Sequence, residues 1–310
     1  MRRVIPPFSF DRSAKARWAQ ITAGLILVAV FAYSGASLMK LSHADTSLLG
    51  FEAEAGMVAG NTAPGDTVGA SGGTSVRFGG TDTPGGTATY PADVFDMSKW
   101  KLQLPVADGP SSVVEIMQPK LATYSDNYFH LNADKTAVVF HVNHGGATTS
   151  GSSNPRSELR EMTGTDGKTQ ASWPSTSGTH TMTVKLKITH LTTVKPQVVV
   201  GQIHDGTNDI SVFRLEGTNL WISDENTLHA YLVTANYQLG TVFTYKYEVS
   251  GGVIKYYYNG QLLPFTESKD ISHLYFKAGN YLQSNPDSAP GESTSAYSEV
   301  EIYDVQVTHQ

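Results

Sequence analysis

The sequence predicts an all-β domain, a sandwich or jelly roll, on three observations. From Val94 onward it runs in short stretches rich in Val, Ile, Tyr, Thr and Phe, each closed by Gly, Asn, Asp or Pro. Nothing in that region repeats its apolar residues at the period of a long helix. Glycine is plentiful (29) and tyrosine (15) outnumbers phenylalanine (12), which suits strands joined by tight turns. No internal repeat is evident, which argues against a propeller or solenoid.

Strands are predicted over Ala137 to Val142, His180 to Ile188, Gln197 to His204 and Asp209 to Leu215. They continue with Thr244 to Val249, Val253 to Tyr258 and Val300 to Val307. Asn259-Gly260, directly after Tyr258, is the pair a two-residue hairpin favours, because both positions take a positive φ. The chain divides into three parts: 1–44, 45–92 and 93–310. In the first, Arg2, Arg3, Arg12, Lys15 and Arg17 precede an apolar stretch from Ile21 to Tyr33, and Ser42-His43-Ala44 follows as a small-residue exit before Asp45. That is the pattern of a secretory signal peptide, and the stretch is short for a membrane span. The expected protein is therefore secreted, with a membrane contact only if the segment stays on as an uncleaved anchor. The second part is rich in Gly, Ser, Thr, Ala and Pro and reads as a linker. Within it, Phe51 to Gly56 and Ala70 to Phe78 resemble the opening of β-sandwich carbohydrate-binding modules, a remnant too short to close a sandwich.

Bulk composition narrows the function. The net charge of -6 argues against nucleic acid, which calls for a basic face, but a local basic groove could still take an acidic sugar. The sequence has no cysteine, so thiol catalysis, Cys-ligated zinc and disulfides are excluded. Neither a phosphate-binding loop nor a nucleophile elbow is present. No metal site or cofactor is expected: His141 and His144 lack a third ligand at a recognisable spacing. A surface position is expected for His141, and the run Tyr256-Tyr257-Tyr258 is read as strand packing or sugar stacking.

Side chains alternate across a strand, so every second residue shares a face. In Arg156-Ser157-Glu158-Leu159-Arg160 both arginines and the glutamate share one. In Gln202-Ile203-His204 the amide and imidazole share one, with Ile203 behind. From Tyr275 to Gln283, the residues Tyr275, Lys277, Tyr281 and Gln283 line one face, and Phe276, Ala278 and Leu282 the other. Polar strand faces are common. These carry groups suited to binding carboxylates and moving protons, beyond the usual Lys, Glu, Thr and Ser.

The three segments resemble the signature motifs of the alginate lyases of polysaccharide lyase family 7, in the family's order and without a mismatch. Phe95 to Pro105 and Gly146 to Thr149 resemble the family's domain opening and its approach to the first motif. The resemblance implies a concanavalin A-like jelly roll of two curved antiparallel sheets, with the acidic polysaccharide lying across one. It implies a lyase that takes the C5 proton of a uronate and expels O4. Arg156, Gln202 and His204 would surround the sugar carboxylate, and Tyr281 would protonate O4. The C5 base would be His204 or Tyr281, depending on which face bears the proton. Glu158 would orient the arginines, while Lys277, Arg160, Tyr275 and Gln283 would bind substrate. Isoleucine in Gln-Ile-His is associated in this family with guluronate-containing chains. A monomer is expected. Two rival readings stay open on the residues alone: a non-catalytic carbohydrate-binding module, and a lyase for another polyuronate such as glucuronan.

Overall fold

Period-two burial builds two antiparallel sheets that face each other across one core. The chain is described here from a computed structural model covering residues 62–66, 74–78 and 86–310. The segment 1–44, expected to be a signal peptide, and most of 45–85 lie outside the described residues. Strands β1 (Thr62–Asp66) and β2 (Thr74–Phe78) pair antiparallel with each other. The chain divides into two compact units, 1–82 and 83–310, described separately.

In the second unit the strands in chain order are β3 (Trp100–Ala107), β4 (Val113–Ile116), β5 (Phe129–Leu131), β6 (Val138–Asn143), β7 (Arg156–Thr163), β8 (Thr169–Gln170), β9 (Thr179–His190) and β10 (Gln197–His204). They continue as β11 (Asp209–Glu216), β12 (Asn219–Asp224), β13 (Tyr231–Thr234), β14 (Phe243–Ser250), β15 (Val253–Tyr258), β16 (Gln261–Ser268), β17 (Tyr275–Leu282) and β18 (Tyr297–His309). A nine-stranded sheet has the order β13-β12-β11-β10-β17-β7-β3-β4, with β8 added on β7. A seven-stranded sheet has the order β16-β15-β14-β9-β18-β6-β5. This is a β-sandwich of the jelly-roll type, and the only helical elements among the described residues are short 3-10 turns. The predicted hairpin closes as expected, with Tyr258 opposite Gln261 and Asn259 and Gly260 at φ 48° and 77°.

β14 illustrates how the core is made: Phe243, Tyr245, Tyr247 and Val249 are buried, while Thr244, Lys246 and Glu248 alternate outward. They meet Phe213, Ile203 and Phe276 from the other sheet. Burying each such side chain contributes roughly 1.5–3 kcal/mol. Two tyrosines of β14 also reach through the core. Tyr245 Oη donates to the Val200 carbonyl at 3.1 Å and Tyr247 Oη to the Gly201 carbonyl at 3.1 Å. They brace β10 where its register against both neighbours shifts, between Val199 and Gly201. That shift lies just before the Gln202-Ile203-His204 segment.

β17 needs a glycine at 279. Its φ is +151°, and a Cβ there would stand 2.6 Å from the Ser157 carbonyl oxygen and 2.7 Å from Glu158 Cα. Both are backbone atoms of β7 and cannot step aside cheaply. Gly279→Ala is expected to lower stability by about 2 kcal/mol or more and to displace Tyr281. A melting temperature equal to wild type would refute the crowding argument.

A partly buried chain of polar groups ties the sheets together. Glu161 on β7 accepts from the Trp173 indole at 3.1 Å and the Phe276 amide at 2.8 Å, and its other oxygen lies 2.6 Å from His309 Nε2. His309 Nδ1 meets His180 Nδ1 at 2.7 Å, and His180 Nε2 reaches the Ser177 carbonyl at 2.8 Å. Burial holds His180 below its ordinary value of 6.5. A histidine depressed in the fold favours the neutral ring, so its contribution is full above about pH 6.5 and is lost as pH falls through the lowered folded value. The melting temperature is expected to drop between pH 7.5 and pH 5, and to drop less in His180→Gln.

Candidate active site

β7, β17 and β10 lie side by side in the nine-stranded sheet, which brings the three motifs together. Arg156 is opposite Tyr281, Arg160 opposite Lys277, Lys277 opposite Gln202, and Tyr275 opposite His204. Alternation therefore puts the sequence candidates on one face, while Ile203, Phe276, Ala278 and Leu282 are buried on the other.

Glu158 is the hub of this face. It is fully buried, with Oε2 at 2.6 Å from Lys277 Nζ and 3.2 Å from Arg156 Nη1. Its Oε1 accepts from Gln202 Nε2 at 2.5 Å. Burial alone would raise its carboxyl, but Lys277 and Arg156 overcome that and hold it below the usual carboxylate range. Burial pushes Lys277 down to about 8 against the pull of Glu158, so the pair is still ionised at neutral pH. One amide hydrogen of Gln202 is taken by Glu158, which leaves the second to donate elsewhere.

This arrangement changes the positions expected for several residues. Lys277, expected to bind a neighbouring sugar carboxylate, has its ammonium buried against Glu158 at 2.6 Å. Glu158 holds Arg156, Lys277 and Gln202, and no hydrogen bond or ion pair joins it to Arg160 among the described residues. Arg160 lies instead with its guanidinium carbon 4.0 Å from the Tyr275 ring centre. Its Nε is buried without a hydrogen-bond partner among the described residues. Gln283 is nearly buried and accepts from Arg214 at 2.8 Å. Tyr275 is also nearly buried, and its hydroxyl lies 3.0 Å from His204 Nδ1, with burial pushing the phenol up.

His204 is fixed in one tautomer. Its Nδ1 lies 2.5 Å from the Asp205 carbonyl and 3.0 Å from the Tyr275 hydroxyl. The carbonyl can only accept and is the nearer, so Nδ1 carries a hydrogen, the hydroxyl hydrogen turns elsewhere, and the neutral ring keeps its lone pair on Nε2. Burial, then the nearby Lys277 charge, holds the ring below its ordinary 6.5. A neutral ring with a free Nε2 can accept a proton. Tyr281 is only partly buried; its ring lies 3.8 Å from the Arg156 guanidinium carbon and its hydroxyl 3.0 Å from Ser152 Oγ.

Sequence reasoning passed over Asn280, Arg214 and Ser152. Asn280 is fully buried; its amide donates to the Phe140 and Ser298 carbonyls at 2.9 Å each, anchoring β17 to the opposite sheet beside Tyr281. The signal was present: an asparagine on an otherwise apolar strand back must find partners. His141 stands on β6 of the other sheet, 3.4 Å from Glu299. Tyr256 is in the core, and Tyr257 bonds Glu248.

The sequence model of the alginate lyase family matches residues 95–309, most of the chain. Among solved structures, the chain is similar to alginate lyase AlgAT5 from polysaccharide lyase family 7, at 50% identity over 72% of this chain and 100% of that one, TM-score 0.68. It is similar to the alginate lyase from Corynebacterium sp., at 49% identity over 71% and 98%, TM-score 0.68. The marine family 7 alginate lyase AlyA1 from Zobellia galactanivorans is 29% identical over 72% and 100%, TM-score 0.59. No curated protein sequence matches significantly. A face built around Arg156, Gln202, His204 and Tyr281, on this sandwich and with these relatives, places the chain in the alginate lyases of polysaccharide lyase family 7.

Proposed function

We propose that this alginate lyase acts outside the cell on guluronate-containing chains, through Arg156, Gln202, His204 and Tyr281. The observation that carries the reading is the fixed tautomer of His204, with Nε2 free, on the same sheet face as a Tyr281 hydroxyl and the Arg156 and Gln202 donors. Arg156 and the free amide hydrogen of Gln202 neutralise the carboxylate beside C5, so that charge developing on it as the proton leaves is stabilised. The base takes the C5 proton, the electron pair forms the C4–C5 double bond, the C4–O4 bond breaks, and Tyr281 protonates O4. His204 Nε2 is the base where the C5 proton faces it. Mannuronate and guluronate differ at C5, and for the other epimer Tyr281 serves in its phenolate form, taking the C5 proton and passing that same proton to O4.

Arg160 is taken as the cation for a neighbouring sugar carboxylate, since the residue is only half-buried and its guanidinium lies over the Tyr275 ring on the same sheet face. Ile203 supports the guluronate reading through the motif association. It is fully buried, so its influence passes through the position of β10.

A base must be unprotonated, so kcat/KM is expected to fall as pH drops below about 6.5, through the lowered value of His204. A flat profile down to pH 4.5 would remove His204 from the base role. The function itself is tested by ultraviolet absorbance with polyguluronate, polymannuronate and polyglucuronate in separate cuvettes. Elimination leaves a double bond conjugated to the carboxylate. The fastest rise is expected on polyguluronate; a faster rise on polymannuronate overturns the preference. A rise on polyglucuronate alone moves the enzyme to another polyuronate, and no rise on any leaves a binding module. Export is supported by the basic, apolar, small-residue order of 1–44. N-terminal sequencing of protein from the medium is expected to begin at Asp45, whereas an intact N-terminus in the membrane fraction indicates an anchor.

A further inference from the structure

Tyr281 is held at both ends. Arg156 covers its ring, and its hydroxyl lies 3.0 Å from Ser152 Oγ. Ser152 belongs to none of the motifs; it sits in the segment joining β6 to β7. That segment is fastened at several points. The Ala147 amide donates to the Pro105 carbonyl at 3.0 Å and the Ser150 amide to the Ser111 carbonyl at 3.1 Å. Asn154 Oδ1 accepts from Asn285 Nδ2 at 2.6 Å.

The hydrogens around Ser152 can be assigned. A serine hydroxyl has one hydrogen and two lone pairs. Ser152 Oγ is 3.0 Å from the Asn154 carbonyl, which only accepts, so its hydrogen goes there. The Asn154 amide donates back to Oγ at 3.1 Å. The second lone pair is left for Tyr281, so in the free site the phenol donates to Ser152. Tyr281 thus has its proton held on a fixed neighbour until a better acceptor arrives.

We propose that Ser152 is the proton-holding partner of Tyr281. It accepts the phenol hydrogen in the empty site. Once that proton has passed to O4, it turns its own hydrogen from the Asn154 carbonyl to the phenolate oxygen. The inference rests on the reading of Tyr281 as proton donor. The balance is simple: the C4–O4 bond breaks with its electron pair on O4, O4 takes the phenol proton, and the negative charge stays on the phenolate. Ser152 keeps its proton throughout and changes only its acceptor. The phenolate then regains a proton through solvent, to which the base gives up the proton taken from C5, so both groups return to their starting states. A hydrogen bond to a charged oxygen is stronger than one to a neutral oxygen, so the contact favours the state that follows proton transfer over the state before it. That difference appears in kcat and leaves substrate binding alone.

The test compares Ser152→Ala and Ser152→Thr, each in the wild-type and Tyr281→Phe backgrounds of the full chain, with folding checked by thermal melting. Ser152→Ala is expected to lower kcat about ten- to a hundredfold with KM within about twofold. Ser152→Thr keeps the hydroxyl and is expected to restore kcat to within about threefold of wild type. In the Tyr281→Phe background, Ser152→Ala should change the residual rate by less than about twofold, because the partner hydroxyl is already gone. Wild-type kcat in Ser152→Ala, no rescue by threonine, or an equal loss in both backgrounds would each overturn the proposal. Full activity in Tyr281→Phe brings down the proton-donor reading and this inference with it. A dead Tyr281→Phe beside an unimpaired Ser152→Ala brings down this inference alone.

Discussion

Tyr281→Phe is expected to lower kcat by roughly a thousandfold or more while leaving the dissociation constant for an alginate oligosaccharide within about twofold. The substitution removes one oxygen and keeps the ring, so the packing under the Arg156 guanidinium at 3.8 Å survives. The groups proposed to hold the sugar carboxylate, Arg156 and Gln202, take their positions from Glu158 and do not depend on the phenol. What disappears is the hydrogen that O4 needs as it leaves, and an unprotonated sugar alkoxide is a poor leaving group. Rates from product absorbance and affinities from calorimetry separate the two effects. A phenylalanine variant that turns over at the wild-type rate would exclude Tyr281 from proton transfer, and one that fails to bind would make it a binding residue.

Glu158→Ala is expected to remove about 3–5 kcal/mol of stability together with nearly all activity. The carboxylate is inaccessible to solvent and is the shared partner of Lys277, Arg156 and Gln202. Without it two cations stand close together with no counter-charge, and Lys277 has no water to turn to. For a unit of this size each kcal/mol moves the melting temperature by about 2–4 °C, so a fall on the order of 10 °C is expected. Activity should be assayed well below the new melting point, where the variant is folded. A folded variant with normal kcat would mean that Arg156 and Gln202 find their places without Glu158. A melting temperature within a degree of wild type would mean that the buried ion cluster contributes nothing net to the fold.

The sandwich was legible because its strands alternate so regularly. Gln197 to His204 and Val253 to Tyr258 have the bounds expected from residue type alone. The face on which each candidate stands was also legible, since it follows from period two. The partner of each side chain was not. Lys277 reads as a free cation on a polar face, and only the pairing of β17 between β7 and β10 reveals that Glu158 lies beneath it. Arg214 was hidden within an apolar strand, yet each of its three nitrogens is engaged: Nε with Glu216, Nη1 with Gln283 and Nη2 with Gln197. Ser152 lies in a Gly-Ser-rich stretch whose composition suggests nothing but a loop. Its place beside Tyr281 comes from contacts with Pro105, Ser111 and Asn285, which are remote in sequence.

The strand orders also bear on how the chain must assemble. The span from Tyr275 to His309 supplies β17 to the interior of one sheet, between β10 and β7, and β18 to the interior of the other, between β9 and β6. A nascent or proteolysed chain that stops at Leu274 would therefore expose four unpaired strand edges, two in each half-built sheet. Such a fragment is a template for self-association, and it also lacks Tyr281. Folding must wait for pairings distant in sequence, which makes it slow. The enzyme's yield on expression should thus depend on how fast this span is delivered, and on chaperones that shield the waiting edges, more than on the stability of the finished sandwich.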